Sequence, residues 1–175
     1  MIDSRQNTLN EFHKTTATLL QLLLSLSEEQ LNFQPKNGWS AGQFGEHLCK
    51  SYAFVETLEG KTKKTERPID QKMEPIKILF SDTSIQMEAP SAILPSSGKI
   101  VKNDLIQCLK DRIEQIKQVI QTKDLSLTCT DFSIPEYGEF TRFEWIWFNI
   151  YHTQRHIYQL ENMIASNNMI ATKRK

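Results

Sequence analysis

Between Phe140 and about Asn167, Trp145, Phe148, His152, His156, Gln159 and Met163 follow one another at intervals of three or four residues. That interval returns to the same side of an α-helix, so all six side chains leave one stripe. A helix with such a stripe needs neighbours to cover it, and the same spacing recurs elsewhere. Leu9, Phe12, Leu19, Leu20, Leu23 and Leu24 define a first helix over Ile2–Ser25. Val101, Leu105, Ile106, Leu109, Ile113, Ile116, Val119 and Ile120 define a third over Ile100–Thr122. The second helix starts at Ser40, where Ser40 and Gln43 have capping-box spacing, and runs to near Gly60 on Phe44, Leu48, Phe54, Val55 and Leu58. The prediction is an all-α fold, a four-helix bundle in a single domain spanning residues 1–175.

The connections differ in kind. Ser27, followed by Glu28, Glu29 and Gln30, predicts a short capped turn, and Leu31–Gly38, with Pro35 and Asn37-Gly38, a linker. Residues 61–99 hold prolines at 68, 75, 90 and 95 and the lysines 61, 63 and 64, which read as a solvated edge. A connection of about forty residues is long for a compact domain and can bring the chain back to the starting end, leaving the second and third helices parallel. Within it, Ile76–Phe80 predicts one helical turn or a short strand. A loop is expected from Asp124 to Thr141, and a frayed polar tail at 168–175.

Lys+Arg and Asp+Glu each total 21, so the formal charge is zero and there is no basic field to hold nucleic acid. Leu19–Leu24, the most apolar run, is too short to span a bilayer, and the N-terminal residues lack a secretory pattern. Cys49, Cys108 and Cys129 are odd in number and contain no C-x-x-C, which favours unpaired thiols in a reducing compartment. The expected location is cytoplasmic, with neither nucleic acid nor membrane as partner.

His152 and His156 lie about 1.1 turns apart and leave one face of the fourth helix, the geometry of a metal clamp that lacks a third ligand. On its own this pair also fits two half-exposed helix histidines. His47, on an otherwise largely apolar stripe of the second helix, points inward, and a buried imidazole needs partners for both ring nitrogens. Three histidines from two helices can meet inside a bundle and leave a fourth coordination position open, the pattern of a reactive rather than a structural zinc site. Cys49, two residues from His47, faces away from it. His13 has no partner at ligand spacing and receives no role. Gln159 falls on the ligand stripe, where it either bonds an imidazole or a metal-bound group, or reaches solvent. Glu46 and Arg155 point off the stripe and read as surface or dimer-contact residues; Trp145 and Phe148 read as core, with a pocket floor as the alternative.

Gly38-Trp39-Ser40 followed by Phe44-Gly45-Glu46-His47-Leu48 resembles the start of the second helix in the DinB-like superfamily of metal-binding four-helix bundles. Pro135-Glu136-Tyr137-Gly138-Glu139-Phe140-Thr141, Glu144-Trp145, His152-Thr153-Gln154-Arg155-His156 and Gln159 resemble its second signature, in the same order and spacing. The resemblance implies an up-down-down-up bundle, a divalent metal on His47, His152 and His156, and often a homodimer. A histidine that commonly precedes the proline of that signature is replaced here by Ile134, so no role is carried over to it.

Members of that superfamily with assigned activities include transferases and isomerases that use bacillithiol, mycothiol or glutathione. The expected function is accordingly a metal-dependent thiol S-transferase or related metalloenzyme, with a small-molecule thiol and an electrophile as substrates. Three imidazoles suit zinc, nickel, copper or iron, and zinc or nickel is the expectation. Two other readings stay open: a non-catalytic helical binding or dimerisation module with a vestigial or structural metal, and histidines that only make core hydrogen bonds.

Overall fold

The computed structural model describes residues 2–85 and 87–172, and side chains within residues 5–166. Its α-helices are α1 (Ile2–Ser25), α2 (Glu28–Leu31), α3 (Ala41–Ser51), α4 (Val55–Glu59), α5 (Met73–Ser81), α6 (Lys102–Thr122) and α7 (Arg142–Thr172). Two short strands, β1 (Thr62–Lys63) and β2 (Thr128–Cys129), pair antiparallel with Thr62 opposite Cys129. The expected all-α bundle is present, built from α1, the α3–α4 pair, α6 and α7.

Residue partners fix the direction of each helix. Arg5 donates to the Ile120 carbonyl and Lys102 to that of Leu24, so α1 and α6 are antiparallel. Gly45 lies against Leu105, Cys49 is bonded to Cys108 and Glu56 pairs with Arg112, an advance in step that makes α3–α4 and α6 parallel. Trp147 donates to Thr8 and Gln154 to Glu11, so α1 and α7 are parallel. Phe44 meets His156 while Phe54 meets Trp145, so α3–α4 opposes α7. The order is up-down-down-up, and the long crossover after α4 is what allows α6 to run alongside α3.

The apolar stripes meet as their spacing requires. Phe12, Leu19 and Leu23 of α1, Leu48 of α3, Leu58 of α4, Leu109, Ile116 and Ile120 of α6, and Ile146, Ile150 and Leu160 of α7 are almost fully enclosed. Each such side chain contributes roughly 1.5–3 kcal/mol relative to exposure. The expected capping box of Ser40 with Gln43 forms, and the capped turn expected at Ser27 is a second capping box, with Gln30. Gly38 turns the chain into α3 with a left-handed φ of 91°, a conformation with little steric cost only for glycine.

Several expectations are corrected. The second helix does not run unbroken to Gly60; a 3-10 turn at Tyr52–Phe54 divides α3 from α4, where neither glycine nor proline marks a break. Ile76–Phe80 belongs to the nine-residue helix α5, which tolerates Pro75 because the proline lies in its first turn, where the N–H has no helical partner. The loop before α7 supplies strand β2. Helix α7 is described to Thr172, and residues 173–175 of the tail expected to fray lie outside the described residues. Cys49 and Cys108 are joined rather than free, tying α3 to α6, while Cys129 is a buried free thiol. Their separation of 59 residues left no local mark of the pairing. No helix among the described residues is long and apolar enough to cross a membrane.

Candidate metal centre

Antiparallel packing of α3 on α7 brings His47 opposite the His152–His156 turn. His47 Nε2 lies 3.1 Å from His152 Nε2, and His156 Nε2 lies 2.9 Å from the same atom. The three imidazoles expected to converge therefore do so, each offering a nitrogen within 4.8 Å of the others. His47 and His156 are buried, at 2% and 8% exposure, whereas His152 is partly exposed.

The other ring nitrogens set the tautomers. His47 Nδ1–H donates to the Ile93 carbonyl at 2.8 Å, and His156 Nδ1–H to Gln159 Oε1 at 2.7 Å. A carbonyl oxygen only accepts, so both rings carry their proton on Nδ1 and turn a bare Nε2 lone pair toward His152. His152 can donate at most one Nε2–H, which serves one of those lone pairs and leaves the other without a donor. Its Nδ1 is buried with no hydrogen-bond partner. A cation at the meeting point satisfies all three Nε2 atoms together. Bonds of about 2.0–2.1 Å at tetrahedral angles place ligand nitrogens roughly 3.3 Å apart, close to the two separations that His152 makes. The donor set fits a divalent ion.

The rings are held neutral, as ligands must be. Burial keeps His47 below the ordinary imidazole value, against the opposing pull of the Ile93 carbonyl. Burial, reinforced by the neighbouring rings, lowers His152 well below that value and takes His156 to about 3. Aromatic walls enclose the cluster. Trp39 lies 4.9 Å from His47, Phe44 5.5 Å from His156 and Phe80 5.4 Å from His152, centroid to centroid. Phe148 packs on both Phe80 and His152, while Trp145 is buried among Phe54, Phe132, Phe140 and Phe148, in line with the core reading.

The sequence profile of the DinB superfamily matches residues 11–160, which hold all three histidines and the capped start of α3. The chain belongs to the DinB superfamily. No curated protein and no solved structure matches it.

In this DinB-superfamily protein the residues flanking the histidines bind the crossover. Glu46 accepts from Ser96 N and Oγ at 2.7 and 2.9 Å, and Lys50 donates to the Leu94 carbonyl, so the segment supplying the Ile93 carbonyl is fixed to α3. Arg155, buried on α7, donates to the carbonyls of Asp82 and Ile85, fixing the chain after α5 above His152. Arg155 is thus buried rather than at the surface, whereas Glu46 stays partly exposed. Tyr52 and Thr153 share a buried hydroxyl pair at 2.8 Å that sets the register of the two histidine-bearing helices. Ile134 closes a small turn with Gly138 and packs its side chain against the core.

Glu144 was missed as an organising residue. It is fully buried, accepts from Arg67 Nη1 and Nη2 at 2.7 and 2.6 Å and from Lys72 N at 2.8 Å, and exchanges capping bonds with Thr141. The signal was present in the chain: Thr141 and Glu144 have the spacing of a capping box.

Proposed function

We propose that this DinB-superfamily protein holds one divalent ion, zinc or nickel, on His47, His152 and His156 and uses the remaining coordination position for a low-molecular-weight thiol, transferring it to an electrophile as a metal-dependent S-transferase. The observation that carries the reading is the meeting of three Nε2 atoms whose lone pairs the protein's own donors cannot all satisfy. Bound there, a divalent ion supplies Lewis acidity that keeps a thiol as thiolate or lowers the pKa of a water.

The chain's own contribution is positional. Ile93 and Gln159 hold two rings in the ligating tautomer, and burial keeps all three unprotonated at neutral pH. Trp39, Phe44, Phe80 and Phe148 pack against the rings and leave only His152 partly exposed among them. The partial exposure of His152 supports an approach for a small ligand from that side.

The test is metal analysis of protein prepared without an affinity tag. About one divalent ion per chain is expected, and almost none in His152→Ala; full occupancy in that variant refutes the site. With the metal-loaded protein, a thiol present at a hundred times its dissociation constant should stabilise the fold by about 2.7 kcal/mol. If metal binds but no small thiol stabilises the protein and no thiol–electrophile pair turns over, the non-catalytic module is the correct reading.

A further inference from the structure

The metal site leaves the disulfide unexplained. Cys49 Sγ and Cys108 Sγ join α3 to α6 across a Cα–Cα distance of 6.3 Å, well within the range disulfides span. The two halves differ in access. Cys49 is 4% exposed, whereas Cys108 stands on the outer face of α6 in contact with solvent. Both line a groove of about 580 Å³ between α3, α6 and the chain preceding α6, a volume in the range of small-molecule sites. Its rim carries both signs of charge: Lys50, Lys99 and Arg112 on one side of the balance, Glu46 and Asp104 on the other.

We propose that Cys49–Cys108 is a thiol–disulfide exchange site for a low-molecular-weight thiol, with Cys108 as the sulfur attacked. A thiolate RS⁻ entering the groove reaches Cys108 Sγ, while Cys49 Sγ is shielded by the packed helices. Exchange requires attack along the S–S axis on an accessible sulfur, so access selects the product. The new bond is R–S–Sγ of Cys108; the Sγ–Sγ bond breaks, and Cys49 Sγ leaves with the electron pair. A second equivalent of the thiol releases RSSR and leaves two protein thiols, so two RSH are oxidised for one disulfide reduced. The reverse is intramolecular, since Cys49 stays beside the mixed disulfide and can expel RS⁻. The mixed charge of the rim suits an amino-acid-derived thiol with carboxylate and ammonium groups. Of these charges, Lys99 pairs with the exposed Glu28 outside the groove, and that exposed pair is cheap to exchange for a ligand's carboxylate. Cys129 takes no part, because burial removes it from attack and pushes its thiol up to about 11. None of this depends on metal occupancy.

The experiment treats the folded full-length protein with reduced glutathione in native buffer, quenches with acid and maps adducts by peptide mass spectrometry. Glutathionyl on Cys108 should exceed that on Cys49 by about tenfold or more, with Cys129 unmodified. Adduct that forms only after denaturant is added, or forms equally on both cysteines, overturns the proposal. Two single variants provide a second readout. Cys49→Ser should take up one glutathionyl group from oxidised glutathione at least about tenfold faster than Cys108→Ser, because the free thiol is exposed in one and buried in the other. Equal rates in two variants with native circular dichroism also overturn it; if either variant fails to fold, the wild-type map decides.

Discussion

Replacing Glu144 by alanine removes an acceptor that four donors share. The carboxylate is fully buried, and its loss leaves the Arg67 guanidinium and the backbone N–H groups of Lys72 and Thr141 without that partner. Breaking a buried ion pair from one side costs about 3–5 kcal/mol, and each orphaned donor about 1–3 kcal/mol. These overlap, because Arg67 keeps partial access to water, so the loss is placed at about 4 kcal/mol. For a chain of 175 residues, 1 kcal/mol moves the melting point by about 2–4 °C, so Glu144→Ala should melt about 8–16 °C below the parent. Glu144→Gln keeps one acceptor oxygen but turns an amide NH2 toward a guanidinium, and about half that loss is expected. The assay is thermal unfolding of the metal-free proteins followed by circular dichroism at 222 nm, near the α-helical minimum, which the bundle supplies in abundance. A melting point for Glu144→Ala within about 2 °C of the parent, no more than the shift that 1 kcal/mol produces at this size, would refute the assignment of Glu144 as the clamp between the crossover and α7.

Two further outcomes follow from the site. His47, His152 and His156 sit below the ordinary imidazole value of 6.5, so as pH falls through that value the unfolded chain binds protons that the folded one refuses. Metal-free stability is therefore complete above 6.5 and is lost from there toward about 3, where His156 titrates, at up to about 1.4 kcal/mol per pH unit for each histidine. Urea midpoints should fall between pH 7.5 and 5, and a constant midpoint contradicts buried neutral rings. Gln159→Leu removes the acceptor that fixes the His156 tautomer and should weaken metal binding about 10–100-fold in chelator competition. Unchanged affinity would show that the glutamine does not orient the ring.

Local periodicity made the four helices legible, and a capped turn at Ser27 and a capping box at Ser40 set the starts of α2 and α3, because those signals involve residues within a turn of one another. The three histidines were legible for a related reason: two share a turn, and the third lies on an inward stripe. What the sequence hid is long-range. The Ile93 carbonyl that orients His47 is 46 residues away, and a backbone carbonyl carries no residue code. Arg155 looked peripheral because its face of α7 meets solvent only until the crossover is laid over it. The Cys49–Cys108 pair needed the parallel alignment of α3 and α6 before it could be seen, and the Arg67–Glu144 clamp needed the fold of the crossover itself.

His47 and His152 are separated by 105 positions, whereas His152 and His156 share a single turn. An ion meeting the nascent polypeptide therefore finds a two-point grip as soon as the last helix coils, and a three-point grip only when distant parts of the chain have docked. Some affinity for the unfolded ensemble is built in, so metal should raise the melting point by less than its native-state binding constant alone implies.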